Sequence, residues 1–553
     1  MGLVDRRIGF LFAAFLALLG LGAAKATWMG TVQASDLKQA AATQQEATIT
    51  VPARRGTIFD RHGIELAVSE PATSVAANPY LIKEPARTAQ TLSEMLVLPE
   101  GELLRRLTRP DTGFVYLARK VPAERARRVE KLGIEGLEFL PDAGRAYPRD
   151  WLASQLLGMV GTDNQGLAGL EQSHDALLRG REGERRMVKD ALGDTISLRE
   201  TRPARPGADV RLSIDANLQD RAETVLAGLG EKWKPKGATA IVMDPRDGAV
   251  MALANWPRVD ANDVGGAPDY AKQNRAVGST YEPGSTFKAF TVAGALEDGK
   301  VTPDKEFSLP PSIRVADREI GESHPRGPMT LDVAQILQQS SNVGAIRVGQ
   351  ALGEDRFDHW VRRFGFGKPT GIDLPGEEAG IILDREKYSG SSMGNLPIGQ
   401  GLAVTPIQMA TAYAAIANGG VLRPPHVVAS VDGKPTARSR GRQVMAPRTA
   451  AALRRMLEGV LGPGGTASGA SIPGYLLAGK TGTANKVDAV YGGYSETKYV
   501  ASFVGFAPAD KPRLLVTVMV DEPQGEIYGG LIAAPAWKSI TSFALNYLRI
   551  PPK

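Results

Sequence analysis

The sequence predicts an α+β protein built on an antiparallel sheet and carried behind an N-terminal apolar helix. Three observations predict it. Ile8 to Ala24 is an uncharged run, mostly Leu, Ala, Phe and Gly. Thr201-Arg-Pro-Ala-Arg-Pro-Gly-Ala-Asp209 has prolines, a glycine and no apolar periodicity, so it reads as a linker. Beyond it, strand-like runs open and close the remaining chain and helical runs fill the middle, which brings sheet strands together from distant sequence.

Taken in order, residues 1–30 read as a short cytoplasmic tail and a transmembrane anchor. As a helix, Ile8 to Ala24 spans about 26 Å, enough to cross a hydrocarbon core of about 30 Å with local thinning. Arg6 and Arg7 precede it, which predicts the N-terminus inside and the rest outside. Ala24-Lys25-Ala26 also resembles a small-x-small cleavage site, so a removed signal peptide is the alternative. Both readings put the chemistry outside the cytoplasm.

Residues 31–200 form a second region. A polar stalk is expected at 30–48. After it, strand-like Ala47–Val51 and Gly136–Leu140 alternate with an Arg/Leu-rich helical stretch from Leu117 to Leu132. Residues 201–209 are the linker, and 210–553 the main domain. There Arg211–Asp215 leads into a helix capped by Asp215 or Asn217. Ala238–Met243 and Ala249–Ala254 read as strands joined by the turn Asp244-Pro-Arg-Asp-Gly248. Tyr499–Phe506 and Leu514–Val520 read as two more. Pro535–Leu548 reads as a closing helix with proline in its first turn.

Composition narrows the function classes. With 43% hydrophobic and 23% charged residues, the 553-residue chain is globular and too long for one ordinary core. A formal charge of +6 is mildly basic, but no Lys/Arg run interleaves with aromatics. That argues against nucleic acid and suits an anionic membrane or cell-wall surface. The absence of cysteine excludes disulfides, thiolate catalysis and Cys-ligated metals. The five histidines are scattered with no His-x-x-x-His pair, so neither a metal nor a cofactor is expected.

Three strings supply chemistry instead: Ser285-Thr-Phe-Lys288, Ser340-Ser-Asn342 and Lys480-Thr-Gly482-Thr483. Together they hold a nucleophilic hydroxyl, two lysines, a second hydroxyl and an amide, the parts needed for acyl transfer through a covalent intermediate. Pro283-Gly284 makes a sharp entry and Ala289–Leu296 an apolar helix. Ser285 therefore sits at a helix start, beside backbone N–H groups and the positive dipole end. The i, i+3 spacing puts Lys288 on the same face. In isolation Ser285 would be an N-cap, Asn342 a turn residue and Lys480 a surface lysine. All three strings in this order make coincidence a poor explanation.

A lysine buried beside another cation has a lowered pKa and works as a base, so Lys288 is the candidate for activating Ser285. The Ser340–Lys480 pair is the alternative first proton acceptor. Ser340 relays the proton toward the leaving nitrogen, and Asn342 bonds the substrate amide. The Thr481 and Thr483 hydroxyls beside Gly482 suit a substrate carboxylate. The backbone N–H groups of Ser285 and Thr483 form the oxyanion hole.

Several look-alikes are set aside. Ser35–Lys38 and Ser495–Lys498 repeat the S-x-x-K spacing, one in the stalk and one in a polar loop. Gly474–Thr481 spells the Walker A string, but its end reads as strand leading into Lys480, with no helix behind to gather phosphate-binding N–H groups. Gly390-Ser-Ser-Met-Gly394 spells a nucleophile elbow, yet no acid lies between Ser392 and His426, the only later histidine.

The three strings resemble those of the penicillin-binding proteins, and the resemblance extends over nearly the whole chain to the class B, monofunctional members. It includes the anchor, Arg55–Gly63, Arg145–Pro148, Gly166–Glu171, Asn274-Arg275, Gly399–Gly401 with Thr405-Pro406, and Phe503–Phe506. His62 stands where asparagine is more usual. The resemblance implies a pedestal over 31–200 and a transpeptidase domain over 210–553, the latter an antiparallel sheet flanked by helices with a helical subdomain. It implies acylation of Ser285 by a stem peptide ending in D-Ala-D-Ala, crosslinking by a neighbouring amine, and trapping by β-lactams. Ser341-Asn342 and Tyr281–Lys288 resemble the division (septal) branch; the alternatives are an elongation-type transpeptidase, a β-lactamase or a non-catalytic penicillin-binding scaffold. The division branch implies a polytopic septal glycan polymerase and other division proteins as partners. Arg55, Asp60 and Arg61 are expected to form a structural ion network rather than a catalytic one.

Overall fold

The computed structural model describes residues 3–31, 46–189, 195–488 and 492–552. Helix α1 (Leu3–Thr31) holds the stretch Arg7–Met29, with mean hydropathy 2.0, and its side chains from Arg7 to Met29 are exposed. It is long and apolar enough to cross a membrane. The expected stalk and the Ser35–Lys38 string lie outside the described residues, apart from 30–31 in α1 and 46–48 in strand Glu46–Val51.

Two compact units follow from the pattern of contacts. One comprises 1–54, 71–143 and 180–206, the other 55–70, 144–179 and 207–553. Residues 55–70 and 144–179 thus belong with the larger unit. Ile58 and Phe59 pair in parallel with Val210 and Arg211, and Leu152, Leu156, Leu170 and Leu178 enter its core. A linker composition does not carry that information.

In the smaller unit, helices Pro85–Leu96, Glu100–Leu107 and Ala123–Glu130 pack on strand Val115–Pro122 through Leu92, Leu96, Leu103, Leu107, Leu117 and Val129. Helix Glu100–Leu107 shows why it forms: Leu103 and Leu107 share a face, acids fill its first turn and arginines its last. The helix expected over Leu117–Leu132 is corrected here. Val115, Leu117 and Val121 are buried as alternating strand residues, and helix begins only after Pro122. A second, three-stranded antiparallel sheet joins Glu46–Val51, Gly183–Lys189 and Thr195–Arg202.

The larger unit is built on a five-stranded antiparallel sheet. In chain order the main elements are α2 (Ala216–Trp233), β1 (Gly237–Met243), β2 (Val250–Trp256), α3 (Lys288–Glu297), α4 (Asn342–Leu352), α5 (Pro406–Ala417), β3 (Ala478–Val487), β4 (Tyr494–Ala507), β5 (Leu514–Asp521) and α6 (Gly529–Tyr547). The sheet order is β2-β1-β5-β4-β3, so the edge strands come from distant sequence.

Its faces separate by alternation. Ala240, Val242, Val516 and Val518 pack toward Leu218 and Leu226 of α2 and Trp537 and Ile540 of α6. Ile241, Met243, Leu515 and Met519 join the opposite core, with Phe290 of α3 and Tyr413 of α5. Asp215 caps α2, accepting from the backbone N–H groups of Asn217 and Leu218. Helix α6 starts earlier than the sequence predicts, so Pro535 lies inside it. The Gly529 amide donates to Thr483 Oγ1 at 3.1 Å, tying the helix start to β3.

The ion network at Arg55 has different partners from those expected. Arg55 pairs with Glu171 and Asp175, each at 2.7 Å, and Glu171 also binds Arg145, while Arg61 is exposed. Asp60 instead accepts from the amides of His62, Ile64 and Ala216. The Arg55 and Glu171 side chains are fully buried. Glu171→Ala leaves the buried Arg145 without its carboxylate and Arg55 with Asp175 alone, and is expected to destabilise the fold by about 3–5 kcal/mol in denaturant melts.

Candidate active site

The site forms where α3 begins, against edge strand β3. Gly284 adopts φ +53°, and a Cβ there would stand 2.8 Å from the Thr483 carbonyl oxygen. Only glycine lets the turn approach the strand so closely. Gly482 meets the same limit from the other side, since its Cβ would lie 2.8 Å from Pro283 O. Ser285 follows on a single 3₁₀ turn, Gly284–Phe287, that runs into α3. It is half-buried and lines a cleft of about 1280 Å³.

Lys288, one turn on, is wholly buried. Its Nζ donates to Ser340 O at 2.6 Å and Asn342 Oδ1 at 2.7 Å, with Ser340 Oγ at 3.4 Å. The Ser340–Asn342 string is a corner between helices. Val333–Gln338 ends, Ser340 turns with φ +58°, and Ser341 caps α4 by accepting from the Gly344 amide at 3.0 Å. Lys480 is also wholly buried, with its Nζ 3.3 Å from Thr481 O and 3.4 Å from Thr481 Oγ1. Ser285, Ser340, Asn342, Thr481 and Thr483 all line the one cleft. The structure therefore brings the three strings together.

Burial sets the electrostatics. Desolvation lowers Lys288 to about 7, partly offset by the Glu322 carboxylate. Desolvation, and then the charge of Lys288, hold Lys480 well below the usual lysine range. Two buried amines, each with its ammonium form disfavoured by desolvation, suit general acid–base chemistry at a serine.

Neighbours without a motif complete the walls. Thr466 Oγ1 and Thr481 Oγ1 are 2.8 Å apart. Tyr494 donates to Glu282, whose carboxyl is pushed up by burial. Glu322 touches Ser341 and Asn342. None stands at a telling spacing from its partner; the Gly464-Gly465 pair before Thr466 is the only local signal. The Walker look-alike is strand β3 from Ala478 onward, and among the described residues no helix follows it before the next strand, β4.

Comparison with known proteins agrees with this arrangement. Residues 238–542 match the penicillin-binding protein transpeptidase domain, and residues 50–212 the penicillin-binding protein dimerisation domain. The chain is 33% identical over 552 residues to a probable peptidoglycan D,D-transpeptidase PenA of Neisseria meningitidis, covering 99% of this chain and 93% of that one. It is 31% identical to peptidoglycan D,D-transpeptidase FtsI of Escherichia coli, with the same coverage. Among solved structures, penicillin-binding protein 3 of Mycobacterium tuberculosis in complex with aztreonam is 29% identical, with TM-score 0.71 over 91% of this chain and 98% of that one. With matches of this identity over nearly its whole length, and with both domain models matched, this chain belongs to the class B penicillin-binding proteins, the division-type peptidoglycan D,D-transpeptidases.

Proposed function

We propose that Ser285 is the nucleophile of this transpeptidase and Lys288 its base. The contact of Lys288 Nζ with both Ser340 and Asn342 supports this best, because it links the serine's helix to the second string through one buried amine. Ser285 Oγ attacks the carbonyl carbon of the penultimate D-Ala as neutral Lys288 takes the hydroxyl proton. The oxyanion sits on the backbone N–H groups of Ser285 and Thr483. The amide C–N bond breaks, and the leaving D-Ala nitrogen receives the proton through Ser340. An amine from a second stem peptide then attacks the ester carbonyl and loses a proton to Lys288, which returns it to Ser285 Oγ as the ester C–O bond breaks and the new peptide bond remains. Asn342 holds the donor's amide. Thr481 and Thr483 receive its terminal carboxylate on the strand beside Gly482, with Lys480 supplying local positive charge.

A β-lactam forms the same ester, but its leaving nitrogen stays tethered and blocks the second amine. Arg6 and Arg7, in the first turns of α1 ahead of its uncharged run, favour a cytoplasmic N-terminus and an extracytoplasmic cleft. Helix α1, apolar on all sides, and the 50–212 region offer docking surfaces for a polytopic septal glycan polymerase and other division proteins. Incubation with a fluorescent penicillin tests the reading: a persistent adduct is expected on the tryptic peptide carrying Ser285. Rapid loss of the label would mark a β-lactamase, and an adduct on another peptide would remove Ser285 from the role.

A further inference from the structure

One wall of the cleft is a short hairpin, Ser312–Val315 with Arg318–Gly321, and the chain leaving it runs along the Ser340–Asn342 corner. Glu322 is buried there, its side chain 7% exposed. Its Oε1 accepts from Ser341 Oγ at 2.6 Å, and its Oε2 from the Asn342 backbone amide at 2.6 Å. The guanidinium of Arg326 pairs with the same carboxylate. One residue earlier, Gly321 O accepts from Asn342 Nδ2 at 2.9 Å, which turns Asn342 Oδ1 toward Lys288. A single segment thus holds both the backbone and the amide of Asn342. It also flanks Ser340, whose left-handed φ of +58° persists only where the surroundings impose it.

Arg318 and Glu319 of the hairpin and Glu526 line the same cleft, and further charges stand at the corner itself. Lys288 comes from α3, Lys480 from β3, and Arg326 and Glu322 from the hairpin exit; nearby His324 packs its ring on Tyr528 at 4.9 Å. Glu322 is the carboxylate whose field reaches Lys288. We propose that Glu322 is a positioning residue for acyl transfer: it holds the Ser340–Asn342 corner against Lys288 and supplies the negative charge against which the buried lysine pair carries its proton. The proposal rests on Lys288 as the base, and the two are separable by experiment.

The test is the rate of acylation of the full-length protein by a fluorescent penicillin, followed from about pH 5.5 to about pH 9, where an acid limb reports the base. Glu322→Gln keeps size and removes charge. Its limb is expected at lower pH than in the unsubstituted protein, because the Lys288 cation loses its counter-charge, and its plateau about tenfold lower or more as the corner loosens. Arg326→Met leaves the carboxylate unneutralised, so its limb is expected at higher pH. Glu322→Asp, which keeps the charge, is expected to restore the limb. A plateau that falls while the limb stays in place in both charge variants overturns the proposal, since a purely structural residue lowers the plateau alone. An unsubstituted protein with no acid limb overturns the lysine-base reading instead. Thermal melting identifies a misfolded Glu322→Gln, in which case the opposite shift in Arg326→Met decides.

Discussion

Ser285→Ala is expected to abolish covalent labelling by a fluorescent penicillin and all crosslinking, because no ester forms without Oγ. Ser285 is half-buried on a cleft wall, so loss of its hydroxyl is expected to change stability by no more than about 0.5–1 kcal/mol. The variant should melt like the parent and remain unlabelled at every penicillin concentration. Ser340 is the competing hydroxyl within reach of Lys288. Label persisting in Ser285→Ala and vanishing in Ser340→Ala would transfer the nucleophile's role to the second string.

Lys288→Met should slow acylation by about 10²–10⁴-fold, the usual worth of a positioned base, while preserving the side chain's length in a fully buried site. In the unsubstituted protein, acylation should rise with pH through about 7, since only the neutral amine accepts the serine proton. In Lys288→Met that limb should disappear. Stability provides an independent check. The folded pKa of Lys288 is lowered from 10.5 to about 7, so between these values the unfolded chain binds more protons than the folded one. Stability therefore rises with pH in that window. The parent should gain stability relative to Lys288→Met as pH increases from about 7 to 10, measured by denaturant melts. A constant difference across that range would mean that Lys288 is not held neutral by burial.

Much of this molecule is legible in local sequence. Apolar runs, a proline-rich break and turn residues place β1, β2, β4 and β5 within a few residues of where they lie. The motif strings point to side chains that the fold gathers at one cleft, because serine and lysine at i, i+3 share the face of a helix start. Legibility fails where a residue's partner is remote. The stretch Leu117–Pro122 has helix-forming residues but is a strand, because its backbone pairs with Ala72–Ala77 while Val115, Leu117 and Val121 bury a face against the helices. Arg55 looks like a partner for Asp60 in sequence and instead finds Glu171 and Asp175.

By itself the sequence determined which chemical groups are at hand: hydroxyls, amines and an amide in three strings, no thiol, and an apolar helix ahead of them. Local periodicity and residue type encode these, and neither needs a fold to be read. Tertiary structure alone decided that Lys288 and Lys480 are dry, that Lys288 rather than Lys480 reaches Ser340 and Asn342, and that Glu322 stands behind that corner. Desolvation and field depend on which distant segments close over a group, and that is a property of packing rather than of spacing along the chain.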